Sequence, residues 1–196
     1  MTDWIIPAFL GLGLSAATGL RTFLPLLMLA IVARLGWFGM GLNPHLAWIA
    51  STPSLVALGV ATVAELAADK IPGVDHALAA FGTFTRPAAG ALATGAVFAH
   101  ADPAVAAIAG LVIGVPTALA FHAAQTGTRL ASTGVTAGLG NPIISLVEDG
   151  VATGLVALSF LVPMLGAFVV AGLLFLGFRL RDRLSRQKAP TPPANA

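Results

Sequence analysis

The sequence predicts an all-α, polytopic transmembrane helical bundle, and three observations lead to that prediction. Hydrophobic residues make up 57% of the 196 residues and charged residues only 9%, whereas a soluble domain carries about 25% charged residues. Several apolar stretches approach or exceed the length of about 20 residues that a spanning helix needs. The 22 glycines and 13 prolines agree with this class, because both residues are more frequent in transmembrane helices than in soluble ones.

About six candidate segments follow from these lengths, some of them short or broken. The first, Trp4 to Leu35, is too long for one straight span and carries Arg21 and Pro25 near its middle, so we expect a broken or strongly tilted helix there. The others run over 53–69, 87–100, 103–124, 142–161 and 163–178. Two stretches of equal length, 70–86 and 125–141, are expected to connect segments.

A weak internal repeat relates residues that lie 55 positions apart, for example Pro87 and Pro142. Internal duplication is common in transporters, where binding sites form between the repeats. The matches are few and mostly small residues, so chance composition is an equal explanation.

The basic residues are concentrated at the end of the chain. Half of the ten Lys and Arg residues lie in RLRDRLSRQK, directly after the apolar LLFLGF. This position is typical of a topology signal rather than of a nucleic-acid site. We expect one transmembrane domain over 1–183, a cytoplasmic C-terminus, and a basic, then Pro-rich, disordered tail over 184–196. The expected partner is the lipid bilayer, and no nucleic acid is expected.

Signatures of enzymes are scarce in this chain. Cysteine is absent, which excludes disulfides and thiolate metal sites. The motifs of serine hydrolases, zinc proteases and P-loop enzymes are also absent. We therefore expect no catalytic residue and no cofactor, and an enzyme is the less favoured interpretation. Asp75 and His76, with Glu65 and Asp69, could bind a divalent cation, although their spacing is loose for a metal site.

Arg21 is the charged residue near the middle of the first apolar stretch. A charge near the centre of a spanning helix is costly, so Arg21 needs a partner, and the candidates are Glu65, Glu148 and Asp149. Such a pair would either be structural and fix the helix register, or form an anion site or a gate that opens when the carboxylate is protonated. Both interpretations remain open on the sequence.

The carboxylates are placed at informative spacings. Glu65 and Asp69 are four residues apart and share one helical face, where they repel unless they share a proton, a cation or an arginine. Asn141 and a following proline predict a helix start, which puts Glu148 and Asp149 about two turns in. Adjacent residues point about 100° apart, so these two are not expected to face the same neighbour.

His122 could relay protons or simply pack through a hydrogen bond.

Five motifs resemble those of a bacterial integral-membrane family known only as a domain of unknown function. They are GLSAATGLRTFLPLL, ELAADKIPGVDH, RPAAGAL, GTRLAST and GNPIISLVEDG, and the similarity runs from about Gly11 to Arg183. The resemblance implies a location in the bacterial inner (plasma) membrane and carries no established activity. The polar motif positions on which the resemblance rests include Arg21, Glu65, Asp69, Lys70, Asp75, His76, Arg86, Arg129, Asn141, Glu148 and Asp149.

These residues together predict one polar site between the helices, which binds or gates a substrate or ion. The predicted members are Arg21, Glu65, Asp69, Asp75, His76, Arg86, Arg129, Asn141, Glu148 and Asp149. The leading hypothesis is a transporter or channel for a small solute or ion, because buried charges beside broken helices are typical of a pathway. The expected ligand is a small ion, a proton or an anionic lipid, and a homodimer would complete a pathway in so short a chain.

Two alternatives belong to other classes of function. In one, the protein binds or modifies a lipid phosphate, with Arg21, Arg86 and Arg129 holding the phosphate and a carboxylate as base. In the other, it is a non-catalytic membrane assembly factor whose ion pairs are purely structural.

Overall fold

The computed structural model describes residues 2–71 and 74–187, and in that part of the chain it contains eight α-helices and no strand. The helices are α1 (Thr2–Leu20), α2 (Leu24–Leu35), α3 (Thr52–Ala68), α4 (Val74–Val97), α5 (Pro103–Ala109), α6 (Val115–Thr136), α7 (Asn141–Leu161) and α8 (Pro163–Gln187). Two short 3₁₀ helices precede α3, and a π-helical turn, Gly110–Gly114, joins α5 to α6. The predicted all-α class is confirmed. Residues 188–196, most of the expected tail, lie outside the described residues.

The first apolar stretch is broken, as the sequence predicts. α1 ends at Leu20 and α2 begins at Leu24, with Arg21 in between. Pro25 lies in the first turn of α2, where a missing N–H leaves no gap in the helical hydrogen bonds. The break therefore leaves backbone N–H groups at the start of α2 that need acceptors from elsewhere.

The two stretches expected to connect segments are mostly helical, so that expectation is wrong. α4 already begins at Val74, and α6 continues to Thr136. The physical reason is burial, because Arg86, Gln125 and Arg129 in these stretches are at most 7% exposed. Hydropathy falls where the helices become polar inside the protein, not where they end. The offset of 55 residues does not pair equivalent positions either, since Pro87 lies inside α4 and Pro142 in the first turn of α7.

Two helical stretches of the described chain are long and apolar enough to cross a membrane, namely Pro103–Thr136 and Asn141–Leu161. The pair Pro44–Ala50 and Thr52–Ala68 meets the same requirement together, bent by 59° at its break. Large apolar side chains are exposed on the outer faces of several helices, among them Val63, Phe84 and Leu146. Exposed apolar surface of this extent is typical of contact with lipid. The apolar helices indicate a membrane protein.

Helix α1 lies at the centre of the bundle and packs against α4, α6, α7 and α8. Its residues Leu14, Ala16 and Ala17 are completely buried. Small residues let the neighbouring helices come close, because a Cβ added at Gly11 or Gly13 would collide with Thr94 of α4 or Ser159 of α7. This central position brings the last residues of α1 into contact with α4 and α6, and Arg21 directly after them into contact with α7.

The π-helical turn crosses α4 at backbone contact distance, which makes Gly114 a test of the packing. A Cβ at Gly114 would overlap the carbonyl oxygen of Gly90 and lie 2.9 Å from the backbone nitrogen of Ala91. We expect Gly114→Ala to lower the free energy of unfolding by about 1–3 kcal/mol, the usual cost of overpacking. Gly154→Ala on α7, where nothing lies within 4 Å, is the control and should be neutral or slightly stabilising. The free energies of unfolding are measured in detergent. Equal values for the two variants would contradict this prediction.

Candidate site: a buried charge cluster

Arg21 lies at the break between α1 and α2, and its side chain is completely buried. Its Nη1 pairs with Asp69, and its Nη2 donates to the backbone oxygen of Ser145 at 3.0 Å and to the hydroxyl of Ser145 at 2.8 Å. The Nε atom lies 2.6 Å from Asp149 Oδ1, and Nη2 lies 3.7 Å from Glu148 Oε2. Arg21 thus joins the helix break to α3 and α7.

Asp69 is the point on which two arginines converge. It occupies the C-cap position of α3, and besides Arg21 it accepts from Nη1 and Nη2 of Arg129, both at 2.5 Å. The hydroxyl of Ser145 donates to the same carboxylate at 3.1 Å. Asp69 was not among the partners expected for Arg21, and it is the carboxylate that holds Arg21 of the helix break and Arg129 of α6 together.

Glu148 is the second carboxylate that Arg129 contacts. It accepts from Arg129 Nη2 and, at 3.2 Å, from Arg129 Nε. The amide of Gln125 donates to it at 2.7 Å. Because Arg129 presents a planar fork of donors, it can bind Asp69 and Glu148 at once, which a lysine could not do with the same geometry.

Asp149 also faces Arg21, which corrects the expectation that Glu148 and Asp149 would not share a neighbour. Lys70 Nζ lies 3.0 Å from its other oxygen. The two carboxylates do point in different directions from α7, but the guanidinium of Arg21 is wide enough to reach both. The side chain of Lys70 is 37% exposed, so this ion pair is the part of the arrangement nearest to the surface.

Glu65 has a different role from the one expected, because backbone groups rather than Arg21 are its partners. The backbone nitrogens of Thr22 and Phe23 donate to its two oxygens at 2.8 and 3.1 Å. Phe23 is the N-cap residue of α2 and Thr22 precedes it, so their N–H groups need acceptors outside that helix. The negative charge is also favourable there, because the N-terminus of a helix carries a partial positive charge. Glu65 therefore closes the helix break from the side of α3.

Arg86 of α4 is buried among neutral acceptors. Its Nη1 donates to the backbone oxygen of Gly19 at 2.9 Å and to Gln125 Oε1. The same atom lies 3.0 Å from His122 Nδ1, while Thr83 contacts the other ring nitrogen at 3.2 Å. Within the described part of the chain, no carboxylate lies at ion-pairing distance from Arg86. His122 is held by hydrogen bonds on both nitrogens.

The remaining predicted residues lie at the edge of this arrangement. Asn141 is buried at the start of α7 and donates to Thr133 of α6 at 3.1 Å. Asp75 and His76 belong to the first turn of α4, but their side chains lie outside the described residues, so the metal site proposed for them stays a prediction. In the ranges that the structure describes, no group of three potential ligands is arranged for a metal ion.

Together the charged residues form what we call the charge cluster, with one carboxylate for each cation. Its members are Arg21, Lys70, Arg86 and Arg129 with Glu65, Asp69, Glu148 and Asp149. The formal charge of the charge cluster is therefore zero, which lowers the cost of its burial. It connects the helix break to α3, α4, α6 and α7.

Sequence reasoning missed two neutral members of the network, Gln125 and Ser145. Gln125 bridges Arg86 and Glu148 and also donates to the carbonyl oxygen of Leu20 at 3.2 Å. The pattern Thr-Gly-x-Arg occurs at 18–21 and again at 126–129, but it marks the two arginines and not these neutral residues. Both arginines of this pattern bind Asp69.

A cavity of about 300 Å³ lies between α3 and α4 and reaches the charge cluster. Glu65, Asp69 and Arg86 contribute to its lining, together with apolar residues of both helices. We call it the α3/α4 cavity.

Comparisons with other proteins identify the family. No curated protein and no solved structure matches the chain. A family model described as "Domain of unknown function (DUF4126)" matches residues 8–183, a range that contains every member of the charge cluster. The chain belongs to this DUF4126 family.

Proposed function

We propose that this protein moves a small ion or solute across the inner membrane of a bacterium, with its C-terminus in the cytoplasm, as a transporter or channel. The observation that carries the proposal is the position of the charge cluster at a helix break. Broken helices and buried charges are the features from which transporters build their sites at membrane depth.

The energetics of burial favour a role beyond stability. Replacing a buried ion pair by well-packed apolar residues of similar volume is often neutral or stabilising by about 1–4 kcal/mol. A bundle that needed only stability could therefore be built without burying charged side chains such as Arg21, Asp69 and Arg129. The charge cluster supports a function that requires charges which can be paired and released.

Asp69 offers a physical basis for such a release. Its carboxylate holds Arg21 and Arg129 against each other, and the two guanidiniums repel without it. Protonation of a carboxylate, or its capture by a transported cation, would leave the charge cluster with excess positive charge. The helix break and α6 would then separate, which opens a path between them.

Flux into proteoliposomes tests the proposal. Wild-type protein should transport protons or a small ion with a dependence on pH between about pH 5 and pH 8, the range of biological proton switches. Glu65→Gln and Glu148→Gln should insert and fold, yet lose that pH dependence. Asp102→Asn is the control, because Asp102 caps α5 outside the charge cluster and asparagine caps equally well.

The absence of flux from the wild type under every ion gradient tested would overturn the transport proposal. The same result would be expected from an assembly factor, in which the two glutamine variants change thermal stability only. A three-arginine phosphate site is less well supported by the geometry, because Arg21 and Arg129 are already engaged by carboxylates.

A further inference from the structure

Arg86 differs from the other buried arginines in having one edge of its guanidinium unused. Its hydrogen bonds to other described residues all run from Nη1. In the described ranges, Nε is buried without a hydrogen-bond partner, and Nη2 donates no hydrogen bond either. The Nε and Nη2 atoms form the edge with which arginine binds a carboxylate or phosphate through two parallel hydrogen bonds. Arg86 is only 3% exposed.

This unused edge belongs to a residue that lines the α3/α4 cavity. The backbone of α4 leaves room for the guanidinium at Gly82, where an added Cβ would lie 2.9 Å from Arg86 Nε. Glu65 and Asp69, the other charged lining residues, are already bound, the first by backbone N–H groups and the second by two arginines. Among the described residues, Arg86 is therefore a cation of the cavity lining that forms no direct ion pair.

The walls of the α3/α4 cavity are apolar. Ala61, Ala64 and Ala68 line it from α3, and Leu78 and Phe81 line it from α4. Ala64 and Phe81 are exposed on the outer surface, and exposed apolar surface is typical of contact with lipid. A ligand that passes between them would come from the bilayer, with an apolar body along the walls and a polar end at Arg86.

We infer that the α3/α4 cavity binds a single-chain amphiphile with an anionic head, a carboxylate or a phosphate, which Arg86 holds through its Nε and Nη2 edge. A volume of about 300 Å³ is at the lower end of small-molecule sites, which span about 300–1,000 Å³. It suits one acyl chain rather than a two-chain phospholipid. The site does not depend on the proposed transport, because occupancy is measured without flux.

Titration of the full chain in neutral detergent tests this site with five probes: dodecanoate, dodecyl phosphate, dodecanol, acetate and inorganic phosphate. Calorimetry against blank micelles gives the affinity, and native mass spectrometry gives the stoichiometry. We expect one dodecanoate or dodecyl phosphate per chain. Dodecanol should bind about 10- to 100-fold more weakly, since a hydrogen bond to a charged group contributes about 1.5–3 kcal/mol.

Two pairs of variants test recognition of the anionic head and of the acyl chain separately. Arg86→Gln should lose the same factor in affinity, whereas Arg34→Gln, at an exposed arginine, should not. Ala64→Phe places a ring in the cavity while every residue of the charge cluster is retained, and it should also abolish binding. Ala67→Phe is its matched control, because Ala67 is exposed on the same helix but does not line the cavity.

Three results would overturn the inference. The first is equal affinity for dodecanol and dodecanoate, which would mean that no anion is recognised. The second is binding of acetate or inorganic phosphate as tight as that of the amphiphiles, which would indicate a site for free anions from water. The third is unchanged dodecanoate binding by Ala64→Phe, a result that remains informative even if Arg86→Gln fails to fold.

Discussion

Arg21→Ala is expected to lower the free energy of unfolding by about 3–5 kcal/mol, because it leaves buried carboxylates without their partner. Asp69 and Asp149 both lose an ion pair, and Ser145 loses two hydrogen bonds. A loss of this size is a large part of the stability of a typical domain, about 5–15 kcal/mol. Denaturation of the purified protein in mixed micelles measures it.

The control for Arg21 is Arg34→Ala, in which an exposed guanidinium loses one hydrogen bond to Ala50. Its effect should stay within about 0.5 kcal/mol, as for most surface positions. A double-mutant cycle then assigns the partner. Asp69→Asn should recover part of the Arg21→Ala loss, whereas Asp102→Asn, outside the charge cluster, should be additive within about 0.5 kcal/mol. Additivity with Asp69→Asn would exclude the direct pairing.

Asp69→Ala should be at least as damaging as Arg21→Ala, since it removes the carboxylate that two guanidiniums share. The expected loss is again about 3–5 kcal/mol, with Arg21 and Arg129 left facing each other. Combining Asp69→Leu with Arg129→Met should recover at least about 1 kcal/mol relative to Asp69→Leu alone, because apolar residues can replace a buried ion pair. The free energies of unfolding of these three variants and the wild type provide the comparison.

A control for Asp69 is Asp102→Ala, which removes an exposed capping carboxylate and should cost about 0.5–2 kcal/mol. If Asp69→Ala cost no more than this control, Asp69 could not be the residue that neutralises both arginines. If the combined variant were worse than Asp69→Leu alone, the interaction of Arg129 with Glu148 would outweigh its interaction with Asp69.

Most charged members of the site were predictable because lipid makes an unpaired charge expensive, whereas Lys70, which pairs with Asp149, was not among the predicted members. Arg21, Glu65, Asp69, Glu148 and Asp149 were singled out on this ground, and they meet in the structure. The break between α1 and α2 was predictable from segment length and from the Arg and Pro in its middle.

The pairings within the site could not be predicted from the sequence. Partner choice depends on helix rotation and on the reach of long side chains, and neither is fixed by spacing along one chain. Glu65 binds backbone nitrogens rather than Arg21, which follows only once the exact end of α1 is known. The α3/α4 cavity likewise depends on how these two helices pack, which spacing along the chain does not give.

The neutral members Gln125 and Ser145 were not predicted from the sequence for a different reason. An amide or hydroxyl inside a membrane protein is far less costly than a charge, so neither residue stands out from its surroundings. The helical extent of α4 and α6 was missed because hydropathy reports lipid-facing length, while these helices continue into a polar interior.

The order of the charge-cluster residues along the sequence also has a consequence for biosynthesis of the protein. Arg21 and Asp69 are 48 residues apart, whereas Arg21 and Ser145 are 124 residues apart. At a synthesis rate of about 5–20 residues per second, Ser145 becomes available roughly 6–25 s after Arg21 is made, and Glu148 and Asp149 follow directly after it. During this interval, the alternation of basic and acidic residues along the sequence keeps the summed charge of the nascent chain small. Counted from the N-terminus, the accumulated charge of the cluster members never exceeds two in either direction, so no long intermediate has to insert with a large unbalanced charge.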